Sequence, residues 1–519
     1  MESILPVAVV VALALLIWDC IEVGRNDATN LINAVFGSRV MTRRTAIILA
    51  GIAVVAGAAF SSPVMETARK GIFEPGMLTL ELAVIVYLTV YIVDTVLLYT
   101  YSAFGMSVST TASLVFELVG ASIAVAASLD IVYWDKVGEV ISAIVFSIIL
   151  SGIAGFFIQR MFRTAMRDSH DDHLRVLLHG PWISGLMMTW LTWFMLLKGL
   201  KSVPGIQAVR AVTIDAYGPW AFLIMLWGGF TLAIHLFLTM GREKATRMLF
   251  RMTAILGMIC LAFAFGQNDL ANCASPGLSC LWLLLNADQA TEVASKVSIP
   301  LWALFGCGLL MVVGMSTRNA QRVTRAAVNT GSQYDHIALY APQWCRAAAR
   351  WILRKQGKDT RVDFAPDPAR DEHGKRLHFD PLRASVIMAV SASVIAFASG
   401  QGLPVSTTYV TFAAVVATGM ADRTMSRGDA DRKIGRAIWV VFCWFGGALL
   451  AMIASAAVAF VILKLGLVGL IVCLGANLFI RFRVGRRSER HERIFHQEAG
   501  VMVQEKERLD RGELPLDES

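Results

Sequence analysis

The apolar residues of this chain are gathered into blocks of about 18–25 residues, the length of α-helix that crosses roughly 30 Å of hydrocarbon. They lie at about 4–22, 45–65, 77–100, 108–130, 137–158, 183–200, 217–240, 248–265, 298–315, 384–400, 404–420, 437–462 and 465–481. A backbone in lipid must satisfy its N–H and C=O groups internally, so blocks of this length are expected as helices. The expected fold is an all-α polytopic membrane protein with about 12–13 transmembrane helices. Composition agrees: 56% of residues are hydrophobic and 17% charged, against roughly 45–50% and 25% in soluble domains. No cleavable signal peptide is expected, because residues 1–6 lack a basic start and the first block runs straight into Gly24-Arg25-Asn26-Asp27.

The formal charge of +8 would suit a nucleic-acid partner, but its placement argues against one. Arg and Lys are gathered in the connections 159–176, 241–251, 317–383 and 421–436 and in the tail from 482. Examples are Arg160 and Arg163, Arg242 and Lys244, and Arg432 and Lys433. Placing all of these in the cytoplasm satisfies the positive-inside rule and puts the N-terminus outside and the C-terminus inside a cell membrane. Residues 317–383 form either a flexible linker or a segment with a short amphipathic helix near 342–355 against the inner leaflet. The tail, 483–519, reads as a basic, surface-lying or partly disordered cytoplasmic end. Eight cysteines occur singly, without CxxC or CxxxH spacing. They are expected as small buried hydrophobes, with no metal site or disulfide framework.

Two polar patterns each occur twice, in the same order. Gly24-Arg25-Asn26-Asp27-Ala28-Thr29-Asn30 is echoed by Gly266-Gln267-Asn268-Asp269-Leu270-Ala271-Asn272. Val108-Ser109-Thr110-Thr111 is echoed by Val405-Ser406-Thr407-Thr408. In the charge-derived thread, the two copies of each pattern run in opposite directions through the membrane. Inverted-topology repeats with broken or re-entrant helices point to a secondary transporter whose site lies near the midplane. The expected division is a first repeat at 1–200, a connecting transmembrane helix at 201–245 and a second repeat at 246–482.

The residue types suggest the chemistry. An ionised aspartate at membrane depth costs at least about 2.5–3.5 kcal/mol, so Asp27 and Asp269 need partners. Asn26, Asn30, Asn268 and Asn272 supply amides beside them. Together with carbonyls freed by a helix break, these oxygens would form a hard nest for Na⁺. Protonation of the aspartates is the alternative, giving H⁺ coupling. Gly24 and Gly266 would permit the tight turn of such a break. Ser109, Thr110 and Thr111, and Ser406, Thr407 and Thr408, would place hydroxyl donors at helix starts, where backbone N–H groups and the dipole also favour an oxyanion. Each pattern alone has a plainer reading, as a cap or a back-bonded hydroxyl. Recurrence in inverted positions favours the functional one.

Other polar residues within the blocks carry less. Asp94, Glu117 and His235 are candidate relay groups, with pairing to another helix or an interfacial position the simpler expectation. Glu81 is expected near a membrane end. Trp182, Trp190 and Trp193 read as packing and interfacial anchors.

On these motifs the chain resembles the inorganic phosphate transporter (PiT) family, whose members carry Gly-Ala-Asn-Asp-x-x-Asn in both halves and Pro-Val-Ser-Thr-Thr-His after each. The likeness extends through Ala34-Val35-Phe36-Gly37-Ser38, through 64–72, and through Leu403-Pro404-Val405-Ser406-Thr407-Thr408. It spans most of 5–130 and 250–435. The resemblance implies that Asn26, Asp27, Asn30, Asn268, Asp269 and Asn272 help form the cation and phosphate sites. It implies that the six Ser and Thr residues line the phosphate site, that Na⁺ or H⁺ drives symport, and that the protein is a homodimer. Arg25 and Gln267 stand where the family has a small residue, Ala112 and Tyr409 where it has histidine, and Ala53 where many members have glutamate. Arg25 is either an anion contact or a partner of Glu22, with pairing preferred.

The expected function is therefore a secondary symporter carrying inorganic phosphate into the cell with Na⁺ or H⁺, without a resident cofactor. A sulfate or other oxyanion permease is the alternative on the same scaffold. An intramembrane enzyme is disfavoured, since no HExxH or GxSxG motif lies at a span.

Overall fold

The structure, a computed structural model, describes residues 4–61, 64–65, 72–73, 77–166, 172–200, 203–286, 299–334, 339–355, 377–426 and 429–510. Most of the stretch 64–72 that carried part of the family likeness lies outside them.

Each apolar block is met by a helix. α1 (Leu5–Gly37) starts at a proline and runs without interruption through the first Asn-Asp motif. α2 (Arg43–Ala58) is capped by Thr42, whose hydroxyl accepts from Thr45 N at 3.3 Å. α3 (Leu80–Ala103) is followed by a non-helical break, and α4 (Thr110–Ala126) begins at the first Ser-Thr-Thr. Next come α5 (Trp134–Met166), α6 (His173–Leu191) with a π-helical extension, α7 (Pro204–Tyr217) and α8 (Pro219–Leu285). α9 (Leu301–Met315) and α10 (Arg318–Thr330) meet at a bend of 68°. α11 (Gln343–Lys355), α12 (Pro381–Gly400), α13 (Thr407–Ala421), α14 (Ala430–Leu465) and α15 (Leu467–Asp510) complete the order.

Seven of the described helices are long and apolar enough to cross a membrane, eight if α9 and α10 form one bent span. The number is below that of the apolar blocks for three reasons, one being that α6, though 19 residues long, is not apolar enough to count. α8 holds two blocks: its 67 residues would reach about 100 Å as a straight helix, and it kinks at Arg242 (φ 49°, ψ −140°). α2, α4, α9 and α13 are shorter than a full crossing, at 16, 17, 15 and 15 residues.

α3 and α12 form the centre, with 78% and 89% of their apolar windows buried, against 22% and 28% for α5 and α14 at the periphery. Large apolar side chains such as Phe146, Phe157, Phe445 and Leu449 face outward, as a lipid-facing surface requires. The polar side chains are turned inward.

The two halves repeat the same crossings. A Cβ on Gly24 would stand 1.9 Å from Met311 O, and one on Gly314 2.0 Å from Ile21 O, where α1 crosses α9. A Cβ on Gly266 would stand 2.2 Å from Val54 O, and one on Gly57 2.1 Å from Phe263 O, where α8 crosses α2. Gly24 and Ile21 correspond to Gly266 and Phe263 by one constant shift along the chain, and Val54 and Gly57 to Met311 and Gly314 by another. This is the crossed pairing that a pseudo-twofold axis between halves produces.

These contacts correct the expected role of Gly24 and Gly266. Neither lies in a turn, since both helices are continuous there. Each is glycine because a neighbouring backbone carbonyl occupies the space of a side chain. The breaks lie instead before the two Ser-Thr-Thr segments, where Gly105 and Gly402 take matching positive φ of 67° and 72°.

Among the described residues of 317–383 the structure has α10, α11 and the start of α12. α11 buries Cys345, Ala349 and Leu353 and leaves Trp344 and Trp351 exposed, while Arg346 pairs with Asp431 of α14 at 3.0 Å. That is the amphipathic helix, not the flexible linker; 356–376 lie outside the described residues. The tail is corrected too, because α15 continues as helix to Asp510. Its Glu492 pairs with Arg322 of α10.

Candidate transport site

The break between α3 and α4 leaves the peptide groups of Val108 without helical partners, and an asparagine supplies them. Asn26 Oδ1 accepts from Val108 N at 3.2 Å, and its Nδ2 donates to Val108 O at 2.7 Å. In the second half Asn268 Oδ1 accepts from Val405 N at 3.1 Å, and its Nδ2 donates to Val405 O at 2.6 Å. A side-chain amide thus stands in for a missing peptide. It fixes each Ser-Thr-Thr segment against the Asn-Asp motif of its own half.

The remaining contacts bind each aspartate to amides of its own motif and to a hydroxyl of the other half. Asp27 Oδ1 accepts from Asn26 Nδ2 at 2.8 Å, Asn30 Nδ2 at 3.0 Å and Thr408 Oγ1 at 2.9 Å. Asp269 Oδ1 accepts from Asn272 Nδ2 at 3.0 Å and Thr110 Oγ1 at 3.1 Å. Asn30 Nδ2 also reaches Thr408 Oγ1, and Asn272 Nδ2 reaches Thr111 Oγ1, both at 2.9 Å. Thr110 Oγ1 lies 3.4 Å from Asp27 Oδ2 as well, so a single hydroxyl touches both carboxylates.

All twelve residues singled out by the motifs are brought into this cluster, none more than 4% exposed. Ser109 and Ser406 cap α4 and α13, accepting from Ala112 N at 3.0 Å and Tyr409 N at 3.2 Å. A capping oxygen keeps its O–H free to donate. Thr111 donates to Val405 O at 2.9 Å, tying the first half to the break of the second. Asn272 Oδ1 is buried and meets no donor, and Asp269 Oδ2 makes no well-formed hydrogen bond although the Thr407 hydroxyl stands beside that carboxylate. With Asp27 they are hard oxygens of the kind that hold Na⁺. The expected carbonyls from a break at Asn-Asp are not part of this set, because α1 and α8 stay helical there.

Around the motifs stand neighbours that the sequence named and others, Arg481, Tyr91 and Asp19, that it did not. Arg25 Nη1 donates to both carboxylate oxygens of Glu22 at 2.7 Å, so the pairing is the arrangement found. Arg481 of α15 joins the same carboxylate and stacks on Trp18 and Tyr99, 4.1 and 4.3 Å from the ring centroids. The Tyr91 hydroxyl donates to Cys273 O at 2.5 Å and accepts from Gly277 N at 2.6 Å, filling a rung of α8 beside Pro276. Asp94 and Glu117 are buried and meet a third carboxyl, Asp19 of α1. Asp19 stands one turn from Glu22 and two from Asn26, and that shared helix face was the signal for it. His235 is exposed on α8, away from the cluster. Glu81 lies in the first turn of α3 and accepts from Ile4 N at 3.3 Å.

Known proteins resemble this chain in sequence and in fold. A candidate phosphate permease of Pyrococcus abyssi is 25% identical over 77% of this chain and 85% of its own length. One of Thermococcus kodakarensis is 25% identical over 84% of this chain and 92% of its own. One of Helicobacter pylori is 23% identical over 81% and 69%. A solved structure described as the sodium-dependent phosphate transporter has the same fold, with a TM-score of 0.66 at 20% identity, covering 89% of this chain and 100% of that one. The model of the phosphate transporter family matches residues 23–330 and 371–467, well over half the sequence. Those two stretches contain both Asn-Asp motifs, both Ser-Thr-Thr segments and the helices that bring them together, and the chain belongs to the phosphate transporter family, a family of transporters and not of enzymes.

Proposed function

We propose that this chain is a secondary symporter that carries inorganic phosphate into the cell with Na⁺ or H⁺, through a site shared by its two halves. The observation that carries the reading is the reciprocal pairing: Thr408 of the second half bonds Asp27 of the first at 2.9 Å, and Thr110 of the first bonds Asp269 of the second at 3.1 Å. Hydroxyls at the starts of α4 and α13 suit a tetrahedral oxyanion, whose acceptors outnumber those of a carboxylate. Asp269 Oδ2, without a well-formed hydrogen bond, and Asn272 Oδ1, without a donor, suit the cation. Because the ligands come from both halves, rocking one half against the other would open the same site to either side.

In this reading the protein lies in the cell membrane with its N-terminus outside, the basic connections and α15 in the cytoplasm, and two copies forming a homodimer. Support for the orientation is the gathering of Arg and Lys in 159–176, 241–251, 317–383 and 421–436.

Uptake of labelled phosphate into proteoliposomes, with Na⁺ and pH gradients imposed separately, tests the proposal. Accumulation is expected under at least one gradient. Sulfate accumulation without phosphate accumulation would reassign the anion. Asp27→Asn and Asp269→Asn should each abolish coupled uptake while leaving membrane insertion intact, and wild-type accumulation by both would remove the aspartates from the mechanism.

A further inference from the structure

Behind the shared site lies a second polar centre, present in one half alone. Asp19 of α1, Asp94 of α3 and Glu117 of α4 are 1%, 4% and 0% exposed. Asp94 has Asp19, Ser113 and Glu117 as its polar neighbours. Ser113 Oγ lies 2.7 Å from Glu117 Oε1. Neither oxygen of Asp19 meets a hydrogen-bond donor, nor do Asp94 Oδ1 and Glu117 Oε2. Asp19 comes from a different helix, and the groups beside it are the carboxyls of Asp94 and Glu117, the Tyr91 ring and the Cys273 thiol.

The surroundings offer no positive charge. Facing the cluster are Tyr91 on α3, Cys273 on α8 and Glu22 on α1, with Cys20 on α1 and Cys307 on α9 adjoining Tyr91. The nearby guanidinium groups of Arg25 and Arg481 are both bound to Glu22. Among the described residues no lysine, arginine or histidine pairs with Asp19, Asp94 or Glu117.

The corresponding positions of the second half are Leu261, Ser391 and Ala414, by the same shifts that relate the Asn-Asp and Ser-Thr-Thr motifs. The pseudo-twofold site does not require this cluster; it has been added to one side of a symmetric frame.

An ionised carboxylate is an acceptor only. Buried carboxyl groups brought side by side with no donor between them therefore favour a shared proton. Three ionised carboxylates at membrane depth without a counter-charge would cost far more than any one of them. A bound cation is the other means of neutralisation, and it would leave no protonated carboxyl to detect.

We propose that Asp19, Asp94 and Glu117 form a proton-binding site, separate from the Asp27 and Asp269 cluster, and that the proton held there is carried with the transported solute. The proton sits between carboxyl oxygens, is taken up when the cluster is opened to one side, and is released when it is opened to the other. No other bond forms or breaks. The inference rests on the transporter reading but not on the identity of the anion.

Infrared spectroscopy of the purified full-length protein provides a readout that needs no substrate. Near neutral pH the wild type should show the C=O stretch of a buried protonated carboxyl, shifted in D₂O, and Asp19→Asn, Asp94→Asn and Glu117→Gln should each reduce it. A wild type without such a band, or variants that leave it unchanged, would overturn the site. In proteoliposomes, uptake driven by a proton gradient should fall by about tenfold or more in Asp19→Asn and Glu117→Gln. Equilibrium exchange of labelled phosphate, which needs no net proton movement, should persist in the same preparations. Variants that lose the band yet keep full gradient-driven uptake would show that the proton is bound but not carried. A wild type that carries no phosphate would remove the phosphate reading and leave the infrared result to decide the proton site.

Discussion

Asn26→Ala and Asn268→Ala test whether a side-chain amide holds each helix break in place. In the first variant the N–H and C=O of Val108 lose partners at 3.2 and 2.7 Å. In the second, those of Val405 lose partners at 3.1 and 2.6 Å. Val108 and Val405 are buried, 6% and 1% exposed, so water does not readily replace the amide. Each orphaned backbone group costs about 1–3 kcal/mol, giving roughly 2–6 kcal/mol per variant. Even the lower end would raise local opening about 30-fold. Hydrogen exchange followed by mass spectrometry on the detergent-solubilised protein reads this directly. Asn26→Ala should speed exchange across 104–113 and leave 401–410 less affected, and Asn268→Ala should reverse the pattern. Unchanged exchange in both variants, or equal acceleration of both segments by either one, would refute the assignment of one asparagine to each break.

Three further outcomes follow from packing and charge. Gly57→Ala places a Cβ 2.1 Å from Phe263 O, where 3.4 Å is ordinary contact, and should lower stability by about 1–3 kcal/mol or more. Gly306→Ala, with nothing within 4 Å, should be neutral or stabilising by up to about 1 kcal/mol; thermal melts compare the two, and equal melting temperatures would contradict the close approach. Arg163→Met removes the partner of Asp380 at 2.5 Å and Asp422 at 2.7 Å and should cost about 3–5 kcal/mol, because it strands two buried carboxylates; a melt matching wild type would count against that network. Burial, with Arg39 adding to it, pushes the imidazole of His378 down from 6.5 to about 4. Its contribution to stability, about 3 kcal/mol, is therefore fully present above pH 6.5 and is lost as pH falls toward 4. His378→Gln should melt with a shallower acid dependence than wild type.

The sequence made the helical blocks and the paired motifs visible because both are local signals, one of length and one of recurrence. It also pointed to one site near the midplane between the inverted halves, although which hydroxyl bonds which aspartate was not legible. The location of the break was misjudged. A glycine before Asn-Asp has the same appearance whether it serves a turn or a close carbonyl, and Met311 and Val54 are too distant in sequence to distinguish the two. Span number suffered similarly, because apolar length alone does not separate a full crossing from the 15 residues of α13. Tyr91 gave no signal, since its role depends on Cys273 and Gly277 of a helix far along the chain. Asp94 and Glu117 stood out only as charges in apolar stretches, and their company with Asp19 appears only when α1, α3 and α4 are assembled.

Thr110 Oγ1 touches Asp27 Oδ2 at 3.4 Å and Asp269 Oδ1 at 3.1 Å. One hydroxyl has one hydrogen, so it can satisfy only one acid at a time. Swinging that hydrogen toward either aspartate deprives the other, which makes the two acids rivals for a single donor instead of independent binding posts. Rotation about a single C–O bond thus couples the carboxylates of the two halves to each other.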